Sequence, residues 1–315
     1  MQLLSFVIPC YRSEQTIEAV VSEIRDKMAT LPDYEWELVL VNDCSPDGTL
    51  NVLKELAAKD ERITVIDFAR NFGQHSALMA GLRQTKGEIV VCLDDDGQTP
   101  ADQADRLLNA LNEGADVAYA RYDHKKHSAF RNFGSHVNEM MARFMLGKPK
   151  TLQVSSYFAA KRYIVNDMIR YENSYPYVIG LVLRATDNIV NVDVDHRARE
   201  TGASGYTLKK LLGLWMNGFT SFSVKPLRIA TVIGVFAAIA GFIYGIVIVI
   251  QHFILPDRVQ GFASLMAVLI IFGGLIMIML GLIGEYVGRI YISLNNSPQY
   301  IIKEIYKRGN GNESD

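Results

Sequence analysis

Glu88-Ile89-Val90-Val91-Cys92-Leu93-Asp94-Asp95-Asp96-Gly97-Gln98 runs an apolar stretch straight into three carboxylates and an amide. The apolar part reads as a strand, which puts the acidic cluster at its carboxyl end. Oxygen ligands spaced Asp-x-Asp-x-Gln suit a hard cation such as Mg²⁺ or Mn²⁺, which takes one or two protein carboxylates and completes its shell with substrate phosphates. The same residues would also serve as an acidic N-cap for a helix starting near Ala101. The rest of the chain decides between the two readings.

Upstream and downstream of this stretch, strand and helix signals alternate. Leu3 to Pro9, Trp36 to Asn42, Ile63 to Phe68 and Ala115 to Ala120 repeat the strand pattern. Between them lie helical stretches: one from about Ser13, with Ile17, Val20, Val21, Ile24 and Met28 on one face, then Leu50 to Lys59, Ser76 to Thr85 and Ala101 to Glu113. Such alternation predicts an α/β domain with a mostly parallel sheet and helices on both faces. In open α/β sheets, ligands bind outside the carboxyl ends of the strands. Three loops fall there: Pro9 to Arg12, Asn42 to Thr49 and the Asp94 cluster. Asp43 is able to accept from a nucleobase N–H. Ser45-Pro46-Asp47-Gly48 is turn chemistry, and Asp47 and Thr49 are better read as caps for the next helix.

Ile229 to Ile250 and Gly261 to Gly284 contain no charged residue, and each exceeds the roughly 20 residues that span a bilayer. Small residues (Gly234, Gly241, Gly245; Gly273, Gly274, Gly281) break up both, as suits close helix packing in lipid. Lys209, Lys210, Lys225 and Arg228 precede the first span, and Arg289, Lys303, Lys307 and Arg308 follow the second. The short loop between them carries only Arg258 beside Asp257. The basic flanks predict a multi-pass protein of the inner (plasma) membrane with the soluble domain and both termini cytoplasmic, and no signal peptide is read before Leu3. Leu208, Leu211, Leu212, Trp215, Phe219 and Phe222 recur at helical spacing, predicting an amphipathic helix in the headgroup layer; an ordinary helix packed on the soluble domain is the alternative.

The formal net charge of −2 leaves no nucleic-acid footprint. Cys10, Cys44 and Cys92 lie in or beside apolar runs and read as small hydrophobes of a reducing compartment. His75, His124, His127, His136 and His196 lack metal-ligand spacing and read as surface or core residues.

Val7-Ile8-Pro9-Cys10-Tyr11, Val41-Asn42-Asp43-Cys44-Ser45-Pro46-Asp47-Gly48-Thr49, Arg70-Asn71-Phe72-Gly73, Asp94-x-Asp96-x-Gln98 and Arg199-x-x-Gly202-x-Ser204-x-Tyr206 occur in that order. Together they resemble the family 2 glycosyltransferases that load a sugar onto polyprenyl phosphate. The likeness extends through the membrane hairpin to Gly284-Glu285-Tyr286-Val287-Gly288-Arg289. It implies a GT-A, Rossmann-like nucleotide-diphosphate-sugar domain and an inverting transfer from a nucleotide-diphosphate sugar, a UDP-sugar by preference, to undecaprenyl or another polyprenyl phosphate. By the same resemblance Mg²⁺ or Mn²⁺ is held at Asp96 with Gln98. Pro9, Tyr11, Asp43, Arg70, Asp94 and Asp95 serve the nucleotide sugar, with Asp94 close to the reacting sugar. Arg199 and Ser204 meet the lipid phosphate, a task that suits the planar fork of Arg, with Lys209 or Lys210 standing in for a family lysine that Gly205 replaces.

The chain departs from the family at three places. Ser204-Gly205-Tyr206 stands where many relatives carry Ser-Lys-Tyr, Ser155 and Ser156 where many carry an Asp, and Asn42-Asp43 in place of Asp-Asp. The implied organisation is a catalytic domain over 1–205, an amphipathic helix over 206–228, spans near 229–251 and 261–284, and a cytoplasmic tail over 285–315. A homo-oligomer is compatible with it. Two rival functions are a processive polysaccharide synthase, whose usual Gln-x-x-Arg-Trp motif is missing, and a membrane-tethered sugar-nucleotide sensor without catalysis, which the intact Asp94, Asp96 and Gln98 set disfavours.

Overall fold

The structure is a computed structural model that describes residues 1–122, 149, 151–195, 225–254, 261–295 and 297–308. The chain divides into two compact units, Met1–Leu208 with Asn296–Asp315, and Lys209–Asn295.

The first unit is built on an eight-stranded sheet. Its strands are β1 (Gln2–Cys10), β2 (Tyr34–Asn42), β3 (Ile63–Phe68), β4 (Ile89–Cys92), β5 (Val117–Tyr122), β6 (Phe158–Lys161), β7 (Ile189–Val194) and β8 (Ile302–Lys307). They run in the order β7-β5-β6-β4-β1-β2-β3-β8. Pairings β1 with β2, β1 with β4, β2 with β3 and β5 with β7 are parallel; β6 and β8 pair antiparallel with their neighbours. The expected mostly parallel α/β sheet is therefore present.

β1 is buried from Leu4 to Cys10 because it sits between β2 and β4, which explains its unbroken apolar sequence. The helix α1 (Ile17–Ala29) buries Ile17, Val20, Val21, Ile24 and Met28, the face read from the sequence. Also in this unit are α2 (Thr49–Lys59), α3 (Gln74–Gln84), α4 (Ala104–Asn112), α5 (Arg162–Ile169) and α6 (Val178–Ala185). α3 lies so close to β1 that a Cβ built on Gly81 would clash with Val7 Cγ1. Only glycine fits that contact.

The segment expected as a cytoplasmic tail over 285–315 is corrected by the structure. The last long helix continues to Leu294, and Ile302–Lys307 returns to the first unit as β8 beside β3. Ahead of β8, Gln299 Nε2 donates to the carbonyls of Tyr171 (2.7 Å) and Asn173 (2.9 Å). Tyr300 stacks on Phe68 with ring centroids 5.2 Å apart.

The second unit carries α7 (Lys225–Ile254) and α8 (Phe262–Leu294), of 30 and 33 residues. At about 1.5 Å per residue each exceeds the roughly 30 Å hydrocarbon core. Their apolar windows, Leu227–Val247 and Ile271–Ile292, are long enough to cross a membrane and almost wholly exposed. The amphipathic stretch expected over 206–228 lies, up to residue 224, outside the described residues.

Candidate active site

β1 has β2 on one side and β4 on the other, so the strand order reverses there and a crevice opens at their carboxyl ends. The three loops read from the sequence converge on it and are tied to one another. The Arg12 N–H donates to Ser45 Oγ (2.8 Å) and the Ser13 N–H to Thr49 Oγ1 (2.9 Å), joining the loops after β1 and β2. The Tyr11 N–H (2.9 Å) and the Ser13 hydroxyl donate to Asp95 Oδ2, and Thr16 Oγ1 donates to the Asp95 carbonyl (2.6 Å), joining the loops after β1 and β4. Arg12 and Cys44 adopt left-handed φ of 59° and 51° without being glycine, and the bond from the Arg12 N–H to Ser45 ties the two strained turns together.

Each carboxylate of the cluster has its own surroundings. Asp94 lies between Gln74 Nε2, 2.9 Å from Oδ1, and the Ser156 hydroxyl, which bonds Oδ2. Burial pushes its carboxyl up to about 6; the Asp96 and Asp95 carboxylates add to the rise, and the Ser156 and Gln74 hydrogen bonds oppose it. Burial likewise raises Asp95, against the bonds from Ser13 and Tyr11. Asp96 Oδ1 accepts the Gln98 N–H at 3.1 Å. Crowded carboxylates of this kind gain from a divalent cation, and the oxygen donors of Asp94, Asp96 and Gln98 match what Mg²⁺ or Mn²⁺ takes. Among the described residues no three His, Cys, Asp or Glu side chains form an all-protein cage. A cation completing its shell with substrate phosphates needs only one or two carboxylates.

Asp43 is buried at the end of β2. Its carboxylate accepts the N–H groups of Phe72 (2.7 Å) and Gly73 (2.8 Å), and its carbonyl accepts from Asn71 Nδ2 (3.1 Å). Burial raises its pKa against those two bonds. Gly73, at φ 89°, takes a conformation an L side chain rarely adopts, and α3 starts at the next residue.

The other residues singled out in the sequence are distributed unevenly. Pro9 is buried within β1, whereas Tyr11 is exposed just beyond it. Arg70 is exposed, with its guanidinium 4.6 Å from the Phe72 ring centroid. Asp47 accepts from the Thr49 N–H (3.3 Å) and hydroxyl (2.6 Å), but Gly48 holds the capping position of α2 and Thr49 is its first residue, so the side-chain cap expected of these two is not formed. Arg199, Ser204 and Lys209 lie outside the described residues. Ser155 Oγ donates within the fold, to the carbonyls of Ala120 (2.9 Å) and Tyr157 (2.8 Å), so only Ser156 reaches the cluster.

Sequence reading missed Gln74, Ser13 and Thr16. Burial, and after it the Asp94 and Asp96 carboxylates, push the Tyr122 hydroxyl up. Gln74 alone carried a signal, as the residue following Arg70-Asn71-Phe72-Gly73.

Comparison with known proteins is consistent with this arrangement. Residues 5–169 match the family described as Glycosyl transferase family 2, and residues 225–290 match the GtrB C-terminal hairpin. An undecaprenyl-phosphate 4-deoxy-4-formamido-L-arabinose transferase of Proteus mirabilis (strain HI4320) is 31% identical over 317 residues, 99% of this chain and 97% of the relative. The SfII prophage-derived bactoprenol glucosyl transferase of Shigella flexneri is 31% identical over 98% of this chain and 99% of its own. Among solved structures, glucosyl-3-phosphoglycerate synthase from Mycobacterium tuberculosis, in complex with Mn²⁺ and UDP-glucose, aligns over 70% of this chain and 77% of its own with a TM-score of 0.51 at 21% identity, a likeness of fold.

Proposed function

The chain belongs to glycosyl transferase family 2, and from that premise we propose that it moves a sugar, with inversion, from a UDP-sugar to a polyprenyl phosphate, giving a lipid-linked sugar for cell-envelope glycan modification. The observation that carries this reading is the half-buried Asp94 carboxylate, crowded by Asp95 and Asp96 at the crevice between β1 and β4. Relatives named for undecaprenyl-phosphate and bactoprenol substrates, similar over almost their whole length, support the acceptor.

In this reading Asp43, Tyr11 and Arg70 bind the nucleotide end of the donor, with the buried Pro9 supporting Tyr11 from within β1, while Asp95 fixes the β1 and β4 loops against each other. Mg²⁺ or Mn²⁺ held by Asp96, Gln98 and Asp94 would offset charge on the leaving diphosphate. The acceptor phosphate oxygen forms a bond to the anomeric carbon as the bond to the diphosphate oxygen breaks. A phosphate monoester, with a second pKa of about 6, is already anionic near neutrality, so no proton has to be removed. Ser156, hydrogen-bonded to Asp94, is then not required as a general base. Arg199, Ser204 and Lys209 orient the acceptor phosphate.

The test is a donor screen: membranes containing the protein, undecaprenyl phosphate and radiolabelled UDP-sugars, followed by organic extraction. Label in the lipid fraction that depends on the protein and on undecaprenyl phosphate is expected for at least one sugar. Label that instead builds up in a polymer would favour a processive synthase.

A further inference from the structure

Asp94 is held from both sides by residues of other elements. Ser156 precedes β6, and Gln74 opens α3, where its Nε2 lies 2.9 Å from Asp94 Oδ1. Gln74 is exposed, so packing does not select its rotamer. A long exposed side chain loses conformational freedom when it is fixed, and its bond to the half-buried Asp94 carboxylate is the compensating interaction. Its backbone position is also fixed: Asp43 takes the N–H groups of the two preceding residues, and the left-handed Gly73 turns the chain into α3. A carboxylate after β2 therefore sets where an amide can reach a carboxylate after β4.

We infer that Gln74 is a positioning residue of the donor site: through Nε2 it locks the plane of the Asp94 carboxylate, and through the Asp43-clamped turn it ties the nucleotide end of the crevice to the diphosphate end. The inference rests on the reading of Asp94 and Asp96 as that diphosphate and metal end. An uncharged donor suits the role. It holds one oxygen without neutralising the cluster, whereas a cationic side chain would compete with the metal, and an acidic one would add a further like charge. Residues that orient metal-site carboxylates typically account for 10- to 100-fold in affinity or activity.

The experiment uses the full chain in detergent with Gln74→Met, which keeps length and removes the donor. Mn²⁺ binding is followed by the loss of the free-ion EPR signal with UDP or GDP present, and nucleotide affinity is measured separately without metal. The parent should bind Mn²⁺ in the presence of one nucleotide. Gln74→Met should weaken Mn²⁺ about tenfold, leave metal-free nucleotide affinity within about twofold, and lower kcat with little change in donor KM. A merely structural role would weaken nucleotide binding with and without metal alike, and that outcome overturns the proposal. So does a variant whose Mn²⁺ affinity and kcat stay within about twofold of the parent. A parent that binds neither Mn²⁺ nor nucleotide would refute the donor-site reading itself, whereas an intact parent with an unaffected variant refutes only the role of Gln74.

Discussion

Asp94, Asp95 and Asp96 are consecutive, yet the turn after β4 gives them three tasks: Asp95 is spent on the β1 loop, Asp94 is held between Gln74 and Ser156, and Asp96 faces its own turn. Spacing alone revealed the cluster; which oxygen each partner takes depends on loops brought together by the sheet. Because the family resemblance puts the cation at Asp96, Asp96→Asn should lower turnover by at least about a hundredfold, and excess chelator should do the same to the parent. Full transfer activity in chelator, measured as label in lipid, would remove the metal from the scheme. Ser156→Ala, which leaves Gln74 on Asp94, should keep kcat/KM for the lipid acceptor within about tenfold, whereas Arg199→Ala should cost about 2 to 4 kcal/mol of transition-state stabilisation. Equal losses in the two variants would argue against a base-free attack. His75, read from the sequence as a surface or core residue, has Nδ1 buried without a partner, and its ring packs edge-on to Tyr177. Burial pulls its pKa down to about 4. The unfolded chain takes up that proton near pH 6.5 and the folded one only near 4, so the stability His75 provides is complete above about 6.5 and is lost as pH falls towards 4. At pH 5 the loss should be about 1 to 2 kcal/mol. In thermal melts of the full chain in detergent at pH 8 and pH 5, His75→Gln should show a smaller drop than the parent.

At the scale of elements, what could be read in the sequence was whatever a buried face dictates. β1, fully covered by its neighbours, has a continuous apolar run, and the stripe of α1 matched its buried face residue for residue. β8 escaped because Ile302–Lys307 is a half-exposed edge strand whose lysines dilute the pattern; it becomes a strand only by pairing with β3, far away in sequence. The close approach of α3 was equally silent, since a glycine within a helical stretch reads as a weak former rather than as a contact. Gly81→Ala should be destabilising by about 1 to 3 kcal/mol, because overpacking a tight core forces backbone shifts that the gain in helix propensity does not offset. Equilibrium denaturation that finds the variant as stable as the parent would mean that α3 relaxes away from β1 at little cost.

For the whole molecule, β8 bears on topology independently of charge. The chain leaves the sheet-containing unit before two helices able to cross a membrane and returns to pair with β3 after them, so the strands on either side of the hairpin share one compartment. That requires an even number of crossings, and two satisfy it. Which compartment is a separate question, on which the basic residues bear: Lys209, Lys210, Lys225 and Arg228 before the hairpin and Arg289, Lys303, Lys307 and Arg308 after it favour the cytoplasm. Lys303 also lies 3.8 Å from the buried Asp67, so its charge serves the fold as well and is weaker evidence of orientation than the others. The prediction is that Met1, Asp315 and the sheet are cytoplasmic and that the loop near Val259 is outside. The chain supplies its own reporter, because Cys10 and Cys92 are buried while Cys44 is exposed beside the crevice. In intact cells a membrane-impermeant maleimide should label Val259→Cys but neither Cys44 nor Asn312→Cys, and all three should react once the membrane is opened. Labelling of Cys44 and Asn312→Cys together in intact cells would invert the map and put the donor site on the side where nucleotide sugars are absent. Labelling of only one of those two would break the pairing of β8 with β3 within a single chain.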